Sequence, residues 1–112
     1  MPGRTAMSVL LLFSTCPDRA CAERIADALV GQRLAACVNI LPGVGSVYRW
    51  QGAIERADEV LLLIKTTRER YPALEAALTA VHPYELPELV AVEAAAGLPG
   101  YLAWVGASTT PD

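Results

Sequence analysis

Apolar positions along this chain change their spacing several times, and each change marks an element. Residues 8–15 form a short, nearly unbroken apolar run closed by Cys16-Pro17-Asp18, which predicts a buried strand. Across residues 18–32 the side chains of Ala22, Ile25, Ala26, Leu29 and Val30 recur at helical spacing, and Arg19, Glu23, Arg24 and Asp27 fill the other side. That pattern predicts an amphipathic helix packed on a sheet. Pro17 suits the helix's first turn, where its missing N–H is not wanted, and Gly31 marks its far end. Residues 36–50 are rich in β-formers but are interrupted by Pro42-Gly43 and Gly45, the mark of a bulge or bend in a strand. After a Gln51-Gly52 turn, residues 53–66 pass from polar (Glu55, Arg56, Asp58, Glu59) to wholly apolar at 60–64. The two stretches read as a hairpin.

Thr66 and Glu69 have the spacing of a capping box. Pro72 conflicts with a helix starting that early, so either the first turn is irregular or the regular helix begins near Tyr71. Leu74, Ala77, Leu78 and Val81 mark its apolar face, and it ends at His82-Pro83. Pro83 and Pro87 bracket a stiff loop. Residues 89–93 predict a last strand, and Leu98, Tyr101, Leu102 and Val105 the face of a short final helix beginning at Pro99. The order β-α-β-β-α-β predicts an α+β, ferredoxin-like sandwich, a four-stranded antiparallel sheet with both main helices on one face. One domain is expected over residues 8–108, with a flexible N-terminal tail at 1–7 and a second tail at 109–112.

The hairpin is too long for the body beneath it. Fourteen extended residues span about 46 Å at about 3.3 Å each, whereas a helix of about 15 residues covers about 22 Å. Its distal part carries Tyr48 and Trp50 with no helix above them. A lone projecting ribbon is marginal in water, so burial against sister subunits is expected. The alternative is that Pro42-Gly43 splits the strand into two short pieces inside a monomer.

Composition narrows the function. A chain of 112 residues with 54% hydrophobic content and a net charge of −3 is one folded domain rather than a disordered segment. It lacks the basic face expected of a nucleic-acid binder. No apolar run approaches the roughly 20 residues that span a bilayer. Cys16, Cys21 and Cys37 are odd in number and irregularly spaced, so neither a disulfide framework nor a four-cysteine zinc module is expected. A reducing cytoplasm is the expected compartment.

The candidate chemistry is sparse. His82 is the single histidine, so any imidazole ligand must use it; otherwise it ends a helix, hydrogen-bonded to a carbonyl. Cys16, near a helix start, is either a thiol of lowered pKa or a small buried hydrophobe. Cys21 reads as structural. Lys65 closes an apolar strand and needs an anionic ligand or a carboxylate, from Glu85, Glu88 or a neighbouring chain. Trp50 and Tyr84 either line a cleft between subunits or pack its seam. Glu85 and Glu88 have no nucleophile or second polar constellation beside them, so an enzyme is not expected.

Six stretches carry a resemblance: Thr15-Cys16-Pro17-Asp18, the run from Leu34-Ala35-Ala36-Cys37 to Leu41-Pro42-Gly43, Trp50-Gln51-Gly52-Ala53-Ile54-Glu55, Ile64-Lys65-Thr66-Thr67, His82-Pro83-Tyr84-Glu85-Leu86-Pro87-Glu88 and Tyr101-Leu102-Ala103-Trp104. In this order and spacing the chain resembles the CutA family of divalent-cation tolerance proteins. The resemblance implies a homotrimer joined through β-strand edges and long hairpins, similar to the trimer of PII signalling proteins, and a part in metal homeostasis, by binding divalent cations or as a PII-like signal adaptor, with no settled enzymatic activity. It also implies copper or zinc as a candidate ligand. The copper site proposed for the family uses a cysteine and a histidine pair, and Ser14 and Val81-His82 stand at those positions here. Cys16, two residues past Ser14, and Cys37 are the substitute ligands, with His82 as the third. The residues themselves leave two alternatives: a small-molecule sensor with an inter-subunit cleft built from Lys65, Tyr84, Glu88 and Trp50, or a structural or interaction trimer without a ligand.

Overall fold

A computed structural model describes residues 8–111 of the chain, so the predicted tail at 1–7 lies outside the described residues. Seven elements follow in order: β1 (Val9–Cys16), α1 (Arg19–Gly31), β2 (Cys37–Trp50), β3 (Ala53–Thr67), α2 (Tyr71–Val81), β4 (Val90–Glu93) and α3 (Pro99–Ser108). The strands form one sheet in the order β2-β3-β1-β4, with every neighbouring pair antiparallel. This is the ferredoxin-like α+β arrangement expected from the pattern.

One face of the sheet holds the main core. Leu10, Leu12, Leu62 and Ile64 alternate inward at period two and meet Ile25 and Leu29 of α1 and Leu74 and Leu78 of α2. Leu12, Leu62, Ile64, Leu74 and Leu78 have no exposed surface. Truncating any of them to Ala would cost about 2–5 kcal/mol.

Two local expectations are corrected, and one alternative is decided. Pro17 does not start α1. Asp18 is the N-cap, its carboxylate accepting from the Cys21 backbone N–H at 2.8 Å, so the proline stiffens the approach to the helix instead. Thr66 is not a cap at all. It lies in β3, fully buried, and its hydroxyl donates to the Leu34 carbonyl at 2.6 Å. Helix α2 begins at Tyr71 with its proline in the first turn and no side-chain cap, the later of the two starts that Pro72 left open. After α3, Thr109 and Thr110 fold back on the helix end. Their hydroxyls donate to Val105 and Gly106 carbonyls at 2.9 Å, and the Arg33 guanidinium donates to the Thr110 carbonyl at 2.6 Å.

The long hairpin is one continuous pair of strands. Its register steps from Leu41 opposite Leu61 to Val44 opposite Glu59, so two residues oppose one at Pro42-Gly43. Gly43 supplies the positive φ, +78°, that this bulge needs. At the tip Gln51 and Gly52 both have positive φ, 50° and 83°, the conformation of a two-residue turn that matches strand twist. Strand β1 pairs with β3 only over residues 60–67. Beyond that point the ribbon pairs with itself alone and stretches the molecule to 50 × 26 × 22 Å. The projection expected from strand length is therefore present, and Val47, Tyr48, Trp50 and Ile54 are exposed along it.

Candidate functional site

The second face of the sheet carries everything of chemical interest. By alternation it presents Leu11, Phe13 and Thr15 of β1, Glu59, Leu61, Leu63 and Lys65 of β3, and Val90 and Val92 of β4 in one register. Helix α3 covers one end, where Val105 packs on Val9 and Ala36. Among the described residues no helix covers the middle. Leu11, Phe13, Leu61 and Leu63 are half-buried there, and Leu41, Val90 and Val92 are exposed.

At the other end, residues 82–89 fold back against the end of β1 and are fastened at both sides. Helix α2 delivers His82 as its C-cap. The buried ring bonds the Thr15 carbonyl through Nε2 at 2.8 Å and accepts the Tyr84 backbone N–H at Nδ1, 3.1 Å. These two partners place the ring proton on Nε2, since a carbonyl can only accept and an amide N–H can only donate. The Tyr84 ring leans on the imidazole at 4.9 Å. At the far side, the fully buried Ser14 hydroxyl donates to the Glu88 carbonyl at 2.7 Å.

Between this fastened loop and the ribbon lies a cleft of about 760 Å³, lined by Tyr48 and Trp50 toward the ribbon's tip, by Glu59 toward its base, and by Tyr84, Glu85 and Glu88 of the loop. The Tyr84 hydroxyl donates to Glu59 Oε2 at 2.6 Å. Burial first, and then this bond, push the Tyr84 phenol well above its ordinary value. It therefore stays a neutral donor across the physiological range.

The expected cleft residues divide. Trp50, Tyr84 and Glu88 line the cleft, and Lys65 does not. Lys65 is six residues from Glu59 on β3, about 20 Å along the strand. Its partner is not a carboxylate: the ammonium donates to Asn39 Oδ1 and lies 4.0 Å from Cys37 Sγ. An amide oxygen and a polarisable sulfur answer the charge at the sheet margin. The expected metal ligands do not assemble either. Cys16 is fully buried, and burial, followed by the neighbouring Cys21, pushes its thiol up to about 12. Desolvation thus outweighs the pull of the helix N-terminus that suggested a lowered pKa. Both ring nitrogens of His82 are engaged, and Cys37 stands level with Leu11 in the sheet, five residues and about 16 Å from Cys16. Among the described residues no group of three or more His, Cys, Asp or Glu side chains could hold a metal ion.

Sequence reasoning overlooked Glu59, Tyr48 and Ser14 as parts of the site. Glu59 shares the alternation of Leu61, Leu63 and Lys65. That signal was hidden because the strand reads as polar first and apolar afterwards.

The fold and this face define a class: a ferredoxin-like α+β protein with an overlong hairpin, an uncovered sheet face and a cleft under a proline-braced loop. The family profile described as "CutA1 divalent ion tolerance protein" matches residues 10–108, and the chain belongs to that family. It is 50% identical over 99 residues to the divalent-cation tolerance protein CutA of Thermus thermophilus, covering 88% of this chain and 96% of that one. It is 48% identical over 103 residues to mouse Protein CutA, covering 92% of this chain but 58% of the longer mouse protein. Among solved structures, CutA of Xylella fastidiosa superposes with a TM-score of 0.89 at 52% identity, covering 91% of this chain and 98% of that one.

Proposed function

We propose that this chain works as a homotrimer, joined through its uncovered sheet face and ribbon. Its cleft binds a small molecule, and its part in divalent-cation tolerance is that of a PII-like adaptor responding to that ligand. The observation carrying this reading is the position of the cleft, at the margin of the uncovered apolar face. Assembly and ligand then share a boundary, which is how occupancy in one protomer is communicated to the next. Full burial of a large apolar side chain supplies about 1.5–3 kcal/mol, and completing the burial of the half-buried Leu11, Phe13, Leu61 and Leu63 supplies a part of that for each, a drive for association of a face that no helix covers among the described residues.

A copper or zinc ion held within one protomer asks more of the molecule. His82 would surrender a backbone partner, Cys16 would ionise against its burial, and Cys37 would cross about half the strand. The chain's contribution to cation tolerance is accordingly read as indirect.

Sedimentation equilibrium at micromolar concentration tests the assembly, with three protomers expected and a monomer refuting it. Thermal-shift screening of small molecules against the chain and Glu59→Gln tests the cleft. A compound that stabilises the former and not the latter supports the reading, and stabilisation of both to the same extent counts against it.

A further inference from the structure

We infer that the cleft is selective for an organic cation, an ammonium or guanidinium group carried on an apolar body; this rests on the reading of the cleft as a ligand site. Its lining includes Glu59, Glu85 and Glu88 but no Lys, Arg or His, although the chain as a whole has 9 basic and 12 acidic residues. The same cleft is lined by the aromatic residues Tyr48 and Trp50 of the ribbon and Tyr84 of the loop. Aromatic faces attract a cation lying within about 6 Å of the ring centre, most strongly where water is excluded. Carboxylates set around aromatic faces are therefore complementary to a cation with a carbon skeleton and repel an anion.

The arrangement also discriminates between kinds of cation. A small divalent ion wants several oxygens converging on one point, and the three carboxylates are not gathered into such a group among the described residues. Two of them already accept hydroxyls, Glu59 that of Tyr84 at 2.6 Å and Glu88 that of Thr15 at 3.5 Å. An organic cation spreads its charge over a larger surface and is satisfied by separated carboxylates and ring faces. The volume of about 760 Å³ lies within the range of pockets that take small organic molecules. Because Tyr84 keeps its hydroxyl proton and only donates it in a hydrogen bond to Glu59, its ring carries no charge of its own and its face remains attractive to a cation.

A matched pair of probes tests this. Benzyltrimethylammonium and phenylacetate share an aromatic ring and carry opposite charges. Isothermal titration of each into the full chain, in its assembled form, should give at least about tenfold tighter binding of the cation. Glu59→Gln and, separately, the exposed Glu85→Gln should each shrink that preference, with circular dichroism confirming that the variants keep the fold. Tighter binding of phenylacetate, lost in Tyr84→Ala, would overturn the charge selectivity while leaving the cleft a ligand site. No heat from either probe, with Trp50 emission unchanged in a Trp104→Phe background, would remove the ligand site and the selectivity together. A preference for the cation unaltered by either glutamate variant would also overturn the inference, because the binding would then lie elsewhere.

Discussion

His82→Ala separates a structural strut from a metal ligand. The imidazole joins the Thr15 carbonyl to the Tyr84 amide, and alanine leaves both backbone groups without their partner. Thr15 is buried, so its carbonyl cannot readily turn to water. An unsatisfied buried polar group costs about 1–3 kcal/mol. The Tyr84 amide, in a half-exposed loop, recovers part of its loss by hydration. Adding the lost contact with the Tyr84 ring gives a destabilisation of about 2–3 kcal/mol. For a domain near 100 residues that lowers the melting temperature by about 10–20 °C. Scanning calorimetry should be run at one fixed protein concentration, because assembly makes the midpoint concentration-dependent. His82→Gln, whose amide N–H can reach the Thr15 carbonyl, should recover part of the loss. Titration with Cu²⁺ completes the experiment, with weak and equal uptake expected for the chain and for His82→Ala. A melting temperature unchanged within about 2 °C, together with loss of copper uptake, would refute the reasoning and make His82 a metal ligand.

Phe13→Asp places a charge in the middle of the uncovered sheet face and should convert the proposed trimer to monomers in sedimentation, with the helix-covered core intact by circular dichroism. The Cys16 thiol titrates near 9.0 when unfolded and at about 12 when folded. The unfolded chain therefore loses its proton first, and this part of the stability is complete below about pH 9 and fades as pH rises toward 12. Tyr84, also raised by burial, acts in the same direction at the alkaline end. Urea midpoints measured from pH 8 to 11 should fall, and less steeply in Cys16→Ala. Gly52→Ala forces an L side chain into a φ of +83° and should cost about 1 kcal/mol, read as a lower urea midpoint, although nothing lies near the added carbon.

Much of this architecture was legible from spacing alone. Ile25 and Leu29 at helical intervals, the turn at Gln51-Gly52 and the bulge at Pro42-Gly43 are local properties, and each element formed where its own residues directed. The capping box at Thr66 failed because the tertiary fold offered its hydroxyl a buried carbonyl, that of Leu34, from 32 residues away. The site was legible only in part for the same reason. Trp50, Tyr84 and Glu88 are brought together, but Glu59 joins them through strand pairing, and Lys65 is separated from them by the length of β3. Cys16 was misjudged because proximity to a helix start is visible in a sequence, whereas the degree of desolvation that opposes it is not.

The order β2-β3-β1-β4 leaves both outer strands with one side bare. A plate with two bare margins joins its copies end to end. The angle of each join then decides whether the series closes into a ring or continues as a fibre. The kink at Pro42-Gly43 lies on one of those margins, so a join made through that margin would take its angle from it. In such an assembly, straightening the kink would change the turn from one copy to the next, and with it whether the series closes, while the core under the helices kept its fold.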